Sequence, residues 1–133
     1  MHALNALQAR DGYIDAALVP KLAKAFNITK AEVKGVISFY DDFTKAPKGK
    51  HVVRICQAEA CQAVGSRSLT AHTLEKLGIG LGDTTPDGHV TVEAVYCLGL
   101  CATGPAVMID GHVKGRVAPA DLDPILDAAE AEA

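Results

Sequence analysis

Val90-Thr91-Val92-Glu93-Ala94-Val95-Tyr96-Cys97-Leu98-Gly99-Leu100-Cys101 is the stretch whose reading decides the fold. Its opening residues are rich in β-branched side chains, which suit a pleated, half-buried strand, and that strand is expected to end at Cys97. A second stretch has the same design: Val52-Val53-Arg54-Ile55 is a β-branched run that ends at Cys56, with Cys61 close behind. All 4 cysteines of the chain therefore lie in two tight pairs, Cys56-x4-Cys61 and Cys97-x3-Cys101. Loops at the carboxyl ends of strands are where open α/β layers hold ligands. If the two strands are parallel neighbours, both loops meet at one end of the sheet and four thiols share one small volume.

The segments around these two stretches complete a layer. Gln62 to Leu77 reads as one helix, closed by Lys76 in its last turn and Gly78 just beyond. Cys61 would then open that helix, with the positive end of the helix dipole facing its thiolate. Gly80 to Gly88 reads as a loop. Ala106–Ile109 and Val113–Val117 read as two short strands, joined at Asp110-Gly111, a strong hairpin signal because glycine tolerates positive φ. A last helix places Leu122, Ile125, Leu126 and Ala129 on one face, with Pro124 as its expected first residue and Asp123 as its N-cap.

Residues 1–46 carry a different period. Leu4 and Leu7 lie on one face of an opening helix. Leu18, Val19, Leu22, Ala23 and Phe26 form an apolar stripe at helical spacing, and Asn27 is a plausible stop. Pro20 belongs in the first turn of that helix or else kinks it. Thr29-Lys30-Ala31-Glu32 is a capping box, and the helix after it is expected to bury Val33, Val36, Ile37 and Tyr40. Lys45 to Lys50, polar and interrupted by Pro47 and Gly49, reads as a linker. The expected fold is α+β: a helical segment over 1–46, then a four-stranded sheet flanked by helices over 47–133.

Composition narrows the function. At 133 residues and 49% hydrophobic the chain can build one real core, from aliphatic residues because Trp is absent. The net charge is -3 with lysines and arginines dispersed, which argues against nucleic acid. No apolar run approaches the ~20 residues that span a bilayer, so no direct membrane insertion is expected. Met1-His2-Ala3-Leu4-Asn5 lacks the basic and apolar regions of a signal peptide, and the expected location is the cytoplasm. There thiols are kept reduced, and close cysteine pairs read as metal-binding or redox-active before they read as structural disulfides. The 5 histidines are scattered, and Gly78-Ile79-Gly80-Leu81-Gly82 follows a helix instead of opening one, so neither suggests a site of its own.

Four cysteine ligands suit a [2Fe-2S] cluster, a [4Fe-4S] cluster or structural zinc. Zinc usually sits on short C-x2-C knuckles in small ribbons, whereas these spacings are wider and a helix and a strand lie between the pairs. A Rieske-type centre needs histidine inside the ligand loops, which hold none. Gly99 and the Gly104-Pro105 pair keep side chains out of the way of a cluster, and backbone N–H groups could then point at sulfur. Leu98, Leu100 and Val64 could shield it from water. An iron–sulfur cluster accounts for the most features. Zinc, a dithiol or disulfide pair, and four idle cysteines are the alternatives.

These residues are similar to those of a known family. Cys56-x4-Cys61, then Cys97-Leu98-Gly99-Leu100-Cys101, then Gly104-Pro105-Ala106, resembles the thioredoxin-like [2Fe-2S] ferredoxins, which include the 24 kDa-type subunit of NADH:quinone oxidoreductase and its relatives in NAD-linked hydrogenases and formate dehydrogenases. Gly12-Tyr13-Ile14 and Ala31-Glu32-Val33-x-Gly35-Val36-x-Ser38-Phe39-Tyr40 resemble the helical segment that precedes the ferredoxin domain in that family. Cys56-Gln57-Ala58-Glu59-Ala60-Cys61-Gln62 looks most like the gamma subunit of the soluble molybdenum-containing NAD-dependent formate dehydrogenase. The resemblance implies a thioredoxin-like sheet and one [2Fe-2S] cluster held by Cys56, Cys61, Cys97 and Cys101. It implies an electron-transfer role with no catalytic residue of its own. The implied partner is a flavoprotein subunit carrying FMN and binding NAD(H), on which the helical segment would dock. A molybdopterin-containing subunit that oxidises formate would stand further off, so FMN, NAD and molybdopterin would lie on partners only. The equivalent subunit of complex I or of a hydrogenase, or a stand-alone ferredoxin, is the alternative role.

Overall fold

The structure, a computed structural model, describes residues 1–132; the last residue of the expected sheet domain, Ala133, lies outside the described residues. The backbone divides into two compact units, Met1–Lys48 and Gly49–Ala133.

The first unit is helical. Helix α1 (His2–Asp11) ends at Gly12, whose φ of 77° closes it in the left-handed conformation. A 3-10 turn over Ala16–Leu18 leads into α2 (Val19–Phe26), where Pro20 occupies the first turn, as its missing N–H allows. Asn27 ends α2 at φ 53°. The Thr29–Glu32 capping box forms in full and starts α3 (Lys30–Phe39). Leu4, Ile14, Val19, Ala23, Val33, Ile37 and Phe43 make the core. Gln8 fastens the chain around it: its side chain donates to Gly12 O at 2.8 Å and accepts from Thr44 N–H at 3.0 Å. Two expectations are corrected. Phe26 is 59% exposed and Tyr40 is 42% exposed, because Phe26 is the last residue of α2 and Tyr40 caps α3 beyond its buried face.

The second unit is a four-stranded mixed sheet in the order β2-β1-β3-β4. Strand β1 (His51–Cys56) runs parallel to β2 (Val90–Val95), with Cys56 opposite Val95. Strand β3 (Val107–Ile109) pairs antiparallel with β1 and then with β4 (His112–Lys114). The β3–β4 hairpin turns at Asp110 and Gly111, both at positive φ (48° and 85°), as a tight two-residue turn requires. One face carries Val53, Ile55, Val90, Val92 and Val107, each no more than 1% exposed. They pack against Leu69 and Leu77 of α5 (Ser66–Leu77) and Leu122, Leu126 and Ala129 of α6 (Pro119–Ala131). Fully burying such a side chain stabilises by about 1.5–3 kcal/mol, so this face is the main support of the unit. On the alternate side of β1 and β2, Arg54 and Glu93 stand opposite each other at 3.1 Å.

Four details differ from expectation. The helix foreseen from Gln62 to Leu77 is two helices, α4 (Glu59–Ala63) and α5, broken at Gly65, whose φ is 109°. Helix α6 begins at Pro119, five residues before Pro124, because Asp121 accepts from the Ala118 N–H at 2.9 Å and caps it there. Asp123 does not cap; it accepts from His72 at 2.7 Å instead. Strand β2 covers the expected Val90–Val95, but β4 stops at Lys114, although Val117 still enters the core. Among the described residues no helix is long and apolar enough to cross a membrane.

Candidate metal centre

The parallel pairing of β1 and β2 carries both cysteine loops to one end of the sheet. Cys56 is the final residue of β1. The chain leaves the strand through Gln57, whose N–H donates to Val95 O at 2.7 Å, and turns into the short α4. Side chains brace this turn. Gln62 Nε2 donates to Gln57 O at 2.6 Å, Gln57 Nε2 donates to Thr70 Oγ1 at 2.8 Å, and the buried Ser66 hydroxyl donates to Cys56 O. Cys61 is the third residue of a five-residue helix and does not open a long one. The dipole of the long helix foreseen from Gln62 is therefore not placed at its thiolate, because α5 starts only at Ser66.

The second loop is built on backbone geometry. Cys97 has φ 119°, an uncommon conformation for a residue with a side chain, and Gly99 has φ 77°. The excursion turns the Gly99 N–H onto Cys97 Sγ at 3.3 Å. A 3-10 turn over Cys101–Thr103 follows, and Cys97 Sγ and Cys101 Sγ stand 3.5 Å apart. Two thiolates on one tetrahedral metal, each bonded at ~2.3 Å, are separated by roughly 3.7 Å. The observed spacing is close to that value, and it also suits a hydrogen bond between two thiols.

The thiols influence one another across the two loops. Burial pushes the Cys61 thiol up; the Ala106 N–H opposes that, and Cys56 and Cys101 add to it. Cys101 is pushed up, first by its hydrogen bond with Cys97 and then by the charge of Cys97, with Cys56 contributing. Cys97 is pulled down by the Gly99 N–H and by Cys101. The structure thus brings all four sequence-expected cysteines into one neighbourhood. Among the described residues no three His, Cys, Asp or Glu side chains are grouped around a single ion; the thiols come as two pairs.

The surroundings fit a cluster. Cys56 and Cys61 are 1% and 2% exposed and pack with Ala106 under Ala58, Val95, Leu98 and Leu100. Cys97 and Cys101 are exposed. Gly104 covers Cys61 closely: a Cβ there would lie 3.2 Å from Cys61 Sγ and 2.9 Å from Val64 Cγ2. Leu98 and Leu100 give the expected apolar cover, but Val64 is 54% exposed, because the chain break at Gly65 turns it outward. Sequence reasoning missed Ser66, Gln57, Gln62 and the Ala106 N–H. Only the serine and glutamines directly beside the cysteine loop hinted at such bracing.

Comparison with known proteins agrees. The family model described as thioredoxin-like [2Fe-2S] ferredoxin matches residues 1–130. The chain is 35% identical over 128 residues to a subunit of the NADH-quinone oxidoreductase of Pseudomonas aeruginosa, covering 96% of this chain and 77% of that one. It is 36% identical over 123 residues to NADP-reducing hydrogenase subunit HndA of Solidesulfovibrio fructosivorans, covering 92% of this chain and 72% of that one. It matches the crystal structure of an NAD+-reducing [NiFe]-hydrogenase in the air-oxidized state with a TM-score of 0.81 and 26% identity, over 97% of this chain but only 23% of that chain. The chain belongs to the thioredoxin-like [2Fe-2S] ferredoxin family, whose members carry one [2Fe-2S] cluster.

Proposed function

We propose that Cys56, Cys61, Cys97 and Cys101 ligate that cluster, and that the chain is the electron-transfer subunit of an NAD-linked oxidoreductase. The observation that carries this is the convergence of two cysteine pairs at the shared end of parallel strands, one pair buried and one exposed. When bound, the cluster supplies one-electron redox chemistry. The chain does the rest. Cys56 and Cys61 anchor the inner side, and Leu98, Leu100 and Val95 keep water from it. The Gly99 N–H stabilises negative charge on Cys97. The exposed Cys97–Cys101 side faces whatever exchanges the electron, and Tyr96, 76% exposed, stands beside it.

The partner in this reading is a flavoprotein subunit carrying FMN and binding NAD(H). The helical unit is its docking segment, with Phe26, Ile28, Phe39 and Tyr40 exposed. An open groove of about 400 Å³ in the same unit, with Ile14, Val19 and Ile37 along it and Lys34 and Lys45 among its lining residues, would take an apolar side chain next to an acidic one. For the parent enzyme we favour a molybdenum-containing NAD-dependent formate dehydrogenase (formate + NAD+ to CO2 + NADH), on the likeness of residues 56–62. The relatives named above support a second reading, the equivalent subunit of an NADH–quinone oxidoreductase or a hydrogenase.

One experiment tests both levels. The tagged chain is expressed alone and loaded with its cluster for measurement of iron, sulfide and low-temperature paramagnetic resonance, and is separately purified with whatever assembles on it for activity. Two iron atoms per chain, and one rhombic signal on reduction, are expected. Formate-dependent NAD+ reduction by the assembly supports the formate reading. NAD+ reduction from hydrogen, or NADH oxidation by quinone, replaces it with the second. A chain that binds no iron overturns the assignment of the ligands.

A further inference from the structure

Gly115 lies outside both cysteine loops, just past β4, yet it touches the second one. A Cβ on it would stand 2.7 Å from Thr103 O and 2.9 Å from Thr103 Oγ1, well inside any real contact. Its φ is not in the left-handed region, so proximity and not backbone conformation demands glycine here. Thr103 cannot step aside freely. Its carbonyl accepts from the Arg116 N–H at 2.6 Å, and Pro105 O accepts from the Val117 N–H at 3.1 Å. Residues 115–117 are therefore zipped along residues 103–105.

The other side of that strip meets the cysteines. Thr103 closes the 3-10 turn that begins at Cys101, donating from its N–H to Leu100 O at 2.9 Å. The next residue, Gly104, lies against Cys61, with its would-be Cβ 3.4 Å from Cys61 Cα. One strip thus seats Cys101, from the exposed pair, and roofs Cys61, from the buried pair. Anything that displaces Thr103 moves both.

We infer that Gly115 is a positioning residue for the cluster: the absence of a side chain there lets the Thr103–Pro105 strip hold Cys101 in its turn and lie closely over Cys61. This rests on the four-cysteine reading above. A second glycine provides the control. A Cβ on Gly49 would meet the Val90 backbone at 2.9 Å, an equally severe clash, but Gly49 precedes β1 at the end of the sheet away from the cysteines.

The test uses the full chain loaded with its cluster and compares wild type, Gly115→Ala and Gly49→Ala. Three quantities are measured: iron release to a chelator, the g-values of the reduced protein, and the midpoint potential. Second-sphere changes typically weaken metal sites by 10–100-fold, so Gly115→Ala is expected to release iron roughly tenfold faster or more, with displaced g-values and potential. Gly49→Ala is expected to melt earlier while keeping wild-type g-values and potential. Wild-type behaviour of Gly115→Ala, or equal spectral shifts in both variants, overturns the inference. If Gly115→Ala does not fold, Thr103→Ala decides: it removes the hydroxyl that donates to Leu100 O at 3.3 Å, and wild-type iron release in it overturns the inference. A wild-type chain that forms no cluster overturns the ligand assignment and this inference together; a sound wild-type cluster indifferent to Gly115 overturns this inference alone.

Discussion

Cys56 and Cys61 are sealed inside the second unit, at 1% and 2% exposure, whereas Cys97 and Cys101 stand in solvent on a loop of unusual backbone conformation. The buried pair is held by packing and by a carbonyl–hydroxyl brace from Ser66. The exposed pair is held by φ angles and backbone N–H groups. In the proposed site, a thiol in the core serves at once as a ligand and as a small hydrophobe. A thiol on the surface is a ligand alone. One inorganic group held by both pairs would therefore have a rigid, dry inner side and an accessible outer side, the arrangement that an electron carrier needs.

Substitutions can break or sharpen this contrast. The largest effect is expected from the cysteines themselves. Cys61→Ala should abolish iron binding and also lower the stability of the iron-free protein by on the order of 1 kcal/mol, since it leaves a small core void. Cys97→Ala should abolish or cripple the cluster while leaving the iron-free melting curve within about 0.5 kcal/mol of wild type. Equal destabilisation by the two would dissolve the distinction between the pairs; an unchanged iron content and visible spectrum in Cys97→Ala would remove it from the ligand set.

Ser66→Ala comes next. It deletes the buried hydroxyl that serves Cys56 O, at a cost of about 1–3 kcal/mol, read by urea unfolding. A stability equal to wild type would show that the inner pair is held by packing only. Gly104→Ala should cost about 1 kcal/mol, because the exposed Val64 side chain can yield but the buried Cys61 Sγ, 3.2 Å from the new Cβ, has little room to move. Adding Val64→Ala should restore part of that stability without slowing the accelerated loss of iron. Full recovery of both would mean that Gly104 matters only to Val64.

The smallest effect lies at the far end of the sheet and depends on pH. His51 Nδ1 is 2.7 Å from an Asp110 oxygen and its Nε2 is 2.9 Å from a Glu132 oxygen. Only an imidazolium can donate to both. The Asp110 hydrogen bond, with help from Glu132, outweighs desolvation and raises the His51 pKa. Stability from a raised histidine is fully present below its unfolded value of ~6.5 and is lost as pH rises through the folded value. Burial pushes Asp110 up, but the His51 ring and the Val52 N–H together bring it down, so its contribution is lost only in acid, as pH falls through that lowered value. Exposure limits the whole to a few tenths of a kcal/mol up to about 1. The melting-temperature gap between wild type and His51→Gln should therefore be widest near pH 5–6 and close toward alkaline pH. A gap that does not change with pH would mean the ring acts through packing.

Local chemistry is legible in the chain itself. The Thr29–Glu32 capping box, the Asp110-Gly111 turn and the Asn27 stop depend on neighbouring residues only, and each forms as read. The break at Gly65 is not legible, because a glycine within a helical period is indistinguishable from one at positive φ until the Cys56 loop must be closed. Pro124 draws the expected helix start away from Pro119, since both suit a first turn and only the Asp121 cap separates them.

What the sequence by itself determined is the proposed ligand set and its support: four thiols in two pairs near strand ends, glycines beside them, and enough aliphatic residues to build a sheet beneath. What only the tertiary structure decided is which pair is buried, that the two loops share one end of the sheet, and that Gly115 reaches Thr103. Spacing along a chain fixes neighbours within a few residues. Burial and contact between distant segments follow from strand order and register, which the packing of the whole sheet sets.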